Sequence, residues 1–385
     1  MRLLKAIING VIVTEKQMIY GKSLLFDKNI KEITDCYEFP PEVEVIDAEG
    51  KLVIAGLIDL HIHGYGGMDV SDGKSEDIAE MSRLITENGV TAWCPTTMTV
   101  EESGIMRAFN AVREASEMKN GGAQIMGVNC EGPFISPAKK GAHIEEHIKK
   151  PEADFIIENS DIVKLVTIAP EMDTDFECIR KICENTSVIV SLGHTEASFE
   201  CAKKAVDAGA THATHLYNAM APLDHRSPGI LGEVLSDKRV SCELIADTFH
   251  VSPELYSLTE SLKKNKLVLI TDCMRAGGLE DGEYDLGGQM ATVKGIECRL
   301  ENGVIAGSVL RLNQALRNMK KHTALPVWKI VNMASLNAAT VIGMQETMGS
   351  IKVGKKANIA IVDKEFEVYV TIINGEVCYK REDNG

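Results

Sequence analysis

The chain has 385 residues, of which 44% are hydrophobic and 25% charged, a mixture typical of a globular protein with a sizeable core. Its net charge of −15 argues against nucleic acid as the main partner, because phosphate backbones need clustered Lys and Arg. No apolar run approaches the roughly 20 residues of a membrane-spanning helix, so we expect no membrane association.

The N-terminal segment predicts short strands. Residues 1–10 carry a brief apolar patch but neither a long hydrophobic region nor a small-residue cleavage site. We therefore interpret them as the start of a strand and not as a signal peptide. Residues 3–13 and 22–35 have the pattern of short strands separated by turns. Residues 51–60 then form one continuous apolar run, which predicts a single strand buried on both faces.

After this run, strand-like and helical segments alternate. Strand character recurs at residues 90–98, 124–129, 162–168, 187–192, 211–216, 240–245 and 267–270. Apolar residues at helical spacing lie between these segments. The pair Ser252-Pro253 is a favourable helix start, after which Leu255, Leu258 and Leu262 are expected to line one face. Eight strand–helix alternations between about residues 51 and 325 predict a (β/α)8 TIM-type barrel.

A small β domain is predicted beside the barrel. Residues 282–302 interrupt the alternation with Gly-rich, alternating segments, which indicates a β insertion. The C-terminal residues return to short strands, and we expect them to pair with the N-terminal strands in a β-sandwich. The predicted division is a barrel over residues 53–346 and a small β domain made of residues 1–52 and 347–385.

The ten cysteines are scattered along the chain and form no C-x-x-C pair. Free and mostly buried thiols in a reducing compartment fit this spacing better than a disulfide framework. We therefore expect a cytoplasmic protein.

His61 and His63 are the first candidates for chemistry. They lie two residues apart at the end of a predicted buried strand, and residues i and i+2 of a strand point to the same face. Two imidazoles on one face can bind one metal ion. Alone, this spacing is a weak signal, because two histidines with ordinary hydrogen bonds at a barrel rim have the same pattern.

Further potential ligands follow other predicted strands. They are Glu131, His194, His215 and Asp272. The carboxyl ends of barrel strands meet at one mouth, so we expect these side chains to lie together. Imidazole and carboxylate ligands with an open position suit Zn²⁺ or Fe²⁺, and such a site generates hydroxide near neutral pH. With Asp272 as the general base, the predicted chemistry is hydrolysis of an amide, an ester or a related C–N bond.

Longer motifs extend through the whole chain. They include Gly56-Leu-Ile-Asp-Leu-His-Ile-His-Gly64, Glu131-Gly-Pro-Phe134, Lys140-Gly-Ala-His143, His215-Leu-Tyr-Asn-Ala-Met220, His225-Arg226 and Thr271-Asp272. With these motifs the chain resembles the N-acetylglucosamine-6-phosphate deacetylases of the amidohydrolase superfamily. The resemblance implies hydrolysis of N-acetylglucosamine 6-phosphate to glucosamine 6-phosphate and acetate in amino-sugar catabolism.

The resemblance implies a role for each metal candidate. Glu131, His194 and His215 would bind the principal metal ion. His61 and His63 would complete a second metal site, which some members of the family have and others lack. One or two divalent ions, Zn or Fe, would therefore bind each subunit.

The catalytic and substrate-binding residues follow from the same resemblance. Asp272, which is also a metal contact, would be the catalytic acid and base, and His143 would orient and polarise the acetyl carbonyl. The substrate would be held by His143, Asn218, Ala219, Arg226, His250 and Leu310. Arg226 would reach the phosphate in the neighbouring subunit, which implies a homodimer. These groups would give an acidic protein the local positive pocket that a phosphosugar needs.

Several positions depart from the family pattern; Ala55 stands where the family usually has Pro, and three others lie near the predicted site. Thr248 stands where the family usually has Gly, and we expect it to reshape the sugar pocket. Arg275 is unusual shortly after the catalytic Asp. It could contact the phosphate or face solvent, and of these two alternatives we favour solvent. Arg311, next to Leu310, stands where the family usually has Thr, so it bears on fine specificity more than on the reaction.

Three alternatives to this activity stay open. The nearest keeps the chemistry and changes the sugar to N-acetylgalactosamine 6-phosphate. A cyclic amidase or dihydroorotase would usually bridge two metals with a lysine, whereas Glu131 occupies the corresponding place. A metal-free binding protein on the same scaffold would require lost ligands, and none is missing.

Overall fold

The computed structural model describes residues 4–382, and the two ends of this range form two facing β-sheets. The first sheet has four strands in the order Ile30–Thr34, Ser23–Phe26, Lys5–Ile8 and Glu44–Asp47. The second has six strands in the order Glu376–Lys380, Val368–Ile373, Ile359–Val362, Leu52–Ala55, Val11–Val13 and Met18–Ile19. Strands from both ends of the chain share this sheet, so their predicted pairing is confirmed.

The two sheets enclose an apolar core of their own. Leu24 and Phe26 from the first sheet pack with Ile359 and Ile372 from the second, and all four side chains are fully buried. A sheet that is apolar on one face has to bury that face, and a second sheet is one stable solution. The predicted β-sandwich of terminal segments is therefore present.

The apolar run 51–60 is two strands in different sheets, and the prediction of a single strand is wrong. Leu52–Ala55 lies in the six-stranded sheet, whereas Leu57–Ile62 begins the barrel. The chain passes between them at Gly56, where a Cβ atom would lie 2.3 Å from the side chain of Thr91. Both strands are buried throughout, so the hydrophobic pattern could not locate the break. The domain boundaries at residues 52 and 346 stay predictions.

Eight parallel strands form the barrel. In chain order they are β1 (Leu57–Ile62), β2 (Val90–Thr97), β3 (Val128–Cys130), β4 (Val163–Ile168), β5 (Ile189–Leu192), β6 (His212–Ala213), β7 (Ser241–Ile245) and β8 (Leu267–Ile270). Each strand pairs with the next from β1 to β8. Just beyond β8, the Asp272 N–H donates to the His61 carbonyl oxygen at 2.8 Å. This contact nearly closes the sheet, and the predicted (β/α)8 barrel is confirmed.

Ten α-helices lie within the described residues. Those after β1 to β7 are Ser75–Leu84, Glu102–Glu117, Ala153–Glu158, Glu177–Asn185, Phe199–Asp207, Gly229–Ser236 and Tyr256–Lys263, and those after β8 are Leu312–His322, Val327–Met333 and Leu336–Val341. Short 3₁₀ turns lie at Val70–Asp72, Ile85–Asn88, Pro137–Lys139, Glu145–His147, Pro170–Met172, Thr174–Phe176, Pro253–Leu255 and Lys264–Lys266. None of the helices in residues 4–382 has the length and apolar character to cross a membrane.

In the helix after β7, the leucines predicted to share a face do not lie on the buried side. Leu258 and Leu262 are 50% and 47% exposed, whereas Tyr256 and Thr259 are buried. The segment begins with the 3₁₀ turn Pro253–Leu255, which has three residues per turn and so rotates the following side chains away from the pure 3.6-residue pattern.

Small β elements are added to the barrel. The short strand Gln124–Ile125 pairs with β2, and Gly64–Tyr65 pairs with Met68–Asp69. The region predicted as an insertion contains an antiparallel sheet of Gly282–Leu286, Gln289–Lys294 and Glu297–Leu300. Leu286 of this sheet packs with Met98, Ala142 and Met274, which all follow barrel strands. The insertion therefore covers part of the barrel mouth.

Candidate active site

A cavity of about 340 Å³ lies at the carboxyl end of the barrel strands. Nine of the residues that the sequence analysis singled out line it: His63, Glu131, His143, His194, His215, Asn218, Ala219, His250 and Asp272. His61 is completely buried, with its ring against that of His63. The chain order of these residues follows the strands from β1 to β8, which is why distant segments converge at this mouth.

Glu131, His194 and His215 form the first of two ligand clusters. Their ligating atoms all lie within 4.8 Å of one another. Glu131 Oε1 is 2.8 Å from His215 Nε2 and 3.2 Å from His194 Nε2. The two Nε2 atoms are 3.1 Å apart. The His194 Nδ1–H donates to the Lys139 carbonyl oxygen at 2.7 Å, so the neutral ring of His194 presents its lone pair to the cluster.

His61, His63 and Glu131 form the second cluster, again within 4.8 Å. The Nε2 atoms of His61 and His63 are 3.3 Å apart, and His63 Nε2 is 3.0 Å from Glu131 Oε2. Asp272 Oδ1 lies 3.2 Å from the same His63 nitrogen. The His61 Nδ1–H donates to Glu243 Oε2 at 3.0 Å, which leaves the inward nitrogen of the neutral ring unprotonated. Glu131 therefore belongs to both clusters.

The electrostatics of the two clusters favour a bound cation. Burial alone would lower the pKa of His63, but the Asp272 and Glu131 carboxylates raise it to about 9. Burial would likewise raise the pKa of Glu131, but the charge that His61 carries when it is protonated and hydrogen bonds from the surrounding imidazoles hold it well below its usual range. A buried group of carboxylates that stabilises positive charge on nearby rings, with several ring lone pairs turned inward, suits a divalent metal ion. The residues present thus fit the metal predicted from the sequence.

Three of these residues have an unusual backbone conformation. His194, His215 and Asp272 have φ angles of +47°, +25° and +51°, a region that residues other than Gly rarely adopt. Each residue lies just after a barrel strand, where the left-handed turn changes the direction of the chain. Such strain costs on the order of 1–3 kcal/mol per residue and persists only where the surrounding structure enforces it.

His143 is held at the cavity wall with one defined nitrogen facing inward. The Thr99 backbone N–H donates to His143 Nδ1 at 3.1 Å, so the hydrogen of the neutral ring is on Nε2. That Nε2 lies 3.4 Å from Glu131 Oε2. Burial lowers the pKa of His143 to about 4. The ring is therefore neutral at ordinary pH and offers an N–H donor to the cavity.

Three of the predicted sugar-binding residues, Asn218, Ala219 and His250, line the same cavity. His250 Nδ1–H donates to Asp247 Oδ2 at 2.6 Å, which fixes the ring so that its other nitrogen is free for a ligand. The Asn218 side-chain amide donates to the carbonyl oxygens of His215 and Leu216 at 3.3 Å. The wall that would hold a sugar is thereby tied directly to a metal-ligand candidate.

Two predicted substrate contacts lie elsewhere. Arg226 is exposed in the loop before the helix Gly229–Ser236 and does not line the cavity. Leu310 lies with Thr248 in a separate neighbouring cavity of about 220 Å³. The roles predicted for Arg226 and Leu310 stay predictions.

Arg275 is not directed to solvent, and the expectation that it would be is wrong. Its side chain is only 15% exposed, and its Nη2 lies 2.9 Å from Asp72, 3.3 Å from Asp285 and 3.8 Å from Asp69. Asp69 and Asp72 follow β1, whereas Asp285 belongs to the insertion. The three carboxylates keep the Arg275 side chain largely out of solvent. They belong to other segments of the chain, which the local sequence around Arg275 could not indicate.

Sequence reasoning missed two residues of this region. Glu243 is fully buried in β7 and contacts His61, and a glutamate inside the apolar segment Ser241-Cys-Glu-Leu-Ile245 was a signal that could have identified it. Among the described residues that line the cavity, Lys139 is the one lysine or arginine. It directly precedes the Lys140-Gly-Ala-His143 motif and carried no signal of its own.

Comparisons with known proteins agree with this geometry. The model of the amidohydrolase family matches residues 52–378. N-acetylglucosamine-6-phosphate deacetylase of Bacillus subtilis strain 168 is 39% identical over 96% of this chain and 95% of its own. N-acetylgalactosamine-6-phosphate deacetylase of Escherichia coli O157:H7 is 35% identical over 88% and 91%. The crystal structure of N-acetylglucosamine-6-phosphate deacetylase from Pasteurella multocida superposes with a TM-score of 0.93 at 31% identity, covering 98% of this chain and 100% of its own.

Thr248 has a φ angle of +71°, which is strained for a β-branched residue. We expect Thr248→Gly to stabilise the protein by about 0.5–1 kcal/mol, because relief of about 1–2 kcal/mol of strain exceeds the entropic cost of Gly. The midpoint of urea unfolding measures the change. Thr323→Gly is the matched control, since Thr323 has a φ angle of −134°, and it should destabilise. A lower midpoint for Thr248→Gly would contradict the strain argument.

Proposed function

The chain belongs to the amidohydrolase family, and from this we propose that it hydrolyses the acetamide of N-acetylglucosamine 6-phosphate, releasing glucosamine 6-phosphate and acetate. The observation that carries the proposal is the convergence of Glu131, His194, His215 and Asp272 on the same cavity as the predicted sugar-binding residues Asn218, Ala219 and His250. The 39% identity over 95% of the length of the Bacillus subtilis relative supports the same activity.

Glu131, His194 and His215 would hold the principal divalent metal ion, and His61 and His63 would hold a second. Zn²⁺ and Fe²⁺ are the proposed metals, since both accept mixed imidazole and carboxylate ligands. Such an ion supplies Lewis-acid chemistry, lowering the pKa of water to about 7 and stabilising negative charge on an amide oxygen.

Asp272 is the proposed proton carrier. Burial alone would raise its pKa, but the hydrogen bond from His63 and the charge of a protonated His61 lower it, so the carboxylate is ionised and able to accept a proton. The Asp272 carboxylate lines the cavity and can take a proton from the attacking water. It can then deliver that proton to the nitrogen of the leaving amino sugar, which makes the amine a viable leaving group.

His143 is the proposed partner of the acetyl oxygen. Its neutral ring directs Nε2–H into the cavity, because the Thr99 backbone N–H occupies Nδ1. A fixed donor aimed at an amide oxygen stabilises the charge that develops there as the carbonyl carbon is attacked. The donor also holds the acetyl group in one orientation.

Asn218, Ala219 and His250 are proposed to hold the sugar and its phosphate. In the protein's own cavity the phosphate would also meet Lys139, whose cationic side chain offsets the charge of a dianion. Arg226 would add a second cation from a neighbouring subunit in a homodimer, in keeping with its exposed loop. The ten free cysteines support a cytoplasmic location.

N-acetylgalactosamine 6-phosphate is the second candidate substrate. A relative named for this activity is 35% identical over 88% of the chain, and the two sugars differ only at one hydroxyl. Both share the acetamide and the phosphate, so the residues proposed for chemistry serve either substrate. Thr248 and Arg311 stay the positions proposed to bear on the choice between them.

A substrate comparison tests the proposed function. Steady-state acetate release should be fastest with N-acetylglucosamine 6-phosphate, slower with the galacto epimer and weaker by orders of magnitude without phosphate. Lys139→Met should lower kcat/KM for the phosphorylated sugar about tenfold and leave the unphosphorylated sugar little changed. Lys140→Met is the matched control, since Lys140 does not line the cavity. No acetate from either sugar phosphate would overturn the activity, and equal rates without phosphate would overturn the roles of His250 and Arg226.

Asp272→Asn should retain metal but lose turnover by about 10²- to 10⁴-fold, because the amide keeps an oxygen near the clusters but cannot carry a proton. Metal analysis of the purified variant and kcat measure the two effects separately. Asp72→Asn removes a carboxylate of the same rim that does not line the cavity and should stay within a few-fold of the parent. Near-normal turnover of Asp272→Asn would show that another group carries the proton.

The pH profile distinguishes the donor role of His143 from a proton-transfer role. Since its pKa lies at about 4, below the ordinary 6.5, the ring stays neutral from pH 5 upward. His143→Gln should therefore lower kcat by about 10²- to 10³-fold through loss of the donor, with the acidic limb of the kcat/KM profile unmoved. A shift of that limb would identify His143 as the titrating group and contradict the assignment.

A further inference from the structure

Glu243 is a buried carboxylate that touches both ligand clusters without entering the cavity. We propose that Glu243 is a positioning residue that holds the two metal-binding clusters in a fixed relation to each other, with His212 supporting it from behind. The inference rests on the proposed function only in that the clusters bind metal. It assigns no direct contact between Glu243 and metal or substrate.

A single oxygen of Glu243 makes the connection. Oε2 accepts the His61 Nδ1–H at 3.0 Å and the His215 backbone N–H at 3.0 Å. His61 belongs to the second cluster and comes from β1, whereas His215 belongs to the first and follows β6. Glu243 itself lies in β7 with no exposed surface. One atom therefore ties together two ligands that are 154 residues apart in the chain.

Each of these two bonds acts on a property that metal binding requires. An ionised carboxylate can only accept hydrogen bonds, so His61 must keep its proton on Nδ1 and turn the lone pair of Nε2 inward. At His215 the bond restrains the backbone where φ is +25°, a strained angle that needs support from its surroundings. The tautomer of His61 and the backbone conformation of His215 thus depend on the same oxygen.

His212 compensates the other oxygen of Glu243. His212 Nε2 lies 3.2 Å from Glu243 Oε1, and its Nδ1 lies 2.7 Å from Ser241 Oγ. An unpaired carboxylate in this interior would be strongly unfavourable. His212 is fully buried and does not line the cavity, so its contacts concern Glu243 and not a ligand. The Ser241–His212–Glu243 series is therefore a support for the clusters.

The alternative is that Glu243 merely fills and stabilises the barrel interior. A purely structural carboxylate would contribute equally to the stability of metal-free and metal-loaded protein. A positioning residue would instead change how tightly the clusters hold metal, since partners that orient ligands typically alter metal affinity about 10- to 100-fold. Zinc affinity and the zinc-induced rise in Tm separate the two cases.

The test compares Glu243→Met with Glu243→Gln in the full-length chain, using zinc ion alone and a competing chromophoric chelator. Glu243→Met, which removes the acceptor, should weaken zinc binding about 10- to 100-fold and shrink the zinc-induced rise in Tm. Glu243→Gln keeps one acceptor oxygen for His61 and His215 and should restore most of the affinity. Glu260→Met is the matched control, because Glu260 is a buried glutamate that pairs with Lys329 away from the cavity.

Unchanged zinc affinity in Glu243→Met would overturn the proposal. So would an equal fall in the Tm of metal-free and zinc-loaded protein, because that is the behaviour of a structural residue. If Glu243→Met does not fold, His212→Leu takes its place and should weaken zinc binding several-fold. An unchanged zinc affinity of His212→Leu would then overturn the proposal. Absence of zinc binding in the unmodified protein would instead overturn the metal site of the proposed function.

The proposed connection between the two clusters is tested separately in the His61→Ala variant, where only the first cluster can bind zinc. Adding Glu243→Met should weaken the remaining zinc site several-fold further, because Glu243 also holds the His215 backbone. No further loss would mean that Glu243 acts on His61 alone, which would contradict a bridge between the clusters.

Discussion

The site is organised around one buried carboxylate, Glu131, with imidazoles on both of its oxygens. Oε1 contacts His194 and His215, and Oε2 contacts His63 and His143. A carboxylate with 2% exposure is stable only where opposite charge and hydrogen-bond donors surround it. Every other element of the mouth serves this arrangement, because each imidazole must come from a different segment and meet the same group.

The barrel supplies those segments, and local backbone strain directs them. The contact between the Asp272 N–H and the His61 carbonyl oxygen brings the proposed proton carrier against the second cluster. Left-handed φ angles at His194, His215 and Asp272 turn the side chains inward immediately after their strands. The insertion also supports the loop that carries His143, since the Gln289 side-chain amide donates to the carbonyl oxygen of the preceding residue, Ala142, at 2.5 Å. Stability is thus sacrificed locally for the geometry of the site.

The sequence by itself determined the fold class and most of the site. Alternating strand and helix patterns imply a parallel barrel, and a parallel barrel gathers all of its strand ends at one mouth. Residue type at those ends was therefore enough to associate His61, Glu131, His194 and Asp272, although up to 211 positions separate them. The motifs added His143 and His250, which have no periodic signal of their own.

Only the tertiary structure decided the features that depend on partners remote in the chain. The apolar run divides between two sheets at Gly56, where Thr91 leaves no room for a side chain, and a pattern of buried residues is the same in either sheet. Arg275 is held by carboxylates from two other segments, and Glu243 joins ligands from β1 and from the end of β6. Local patterns report which face of an element is buried. They do not report which atoms meet there, because that depends on how the elements pack in three dimensions.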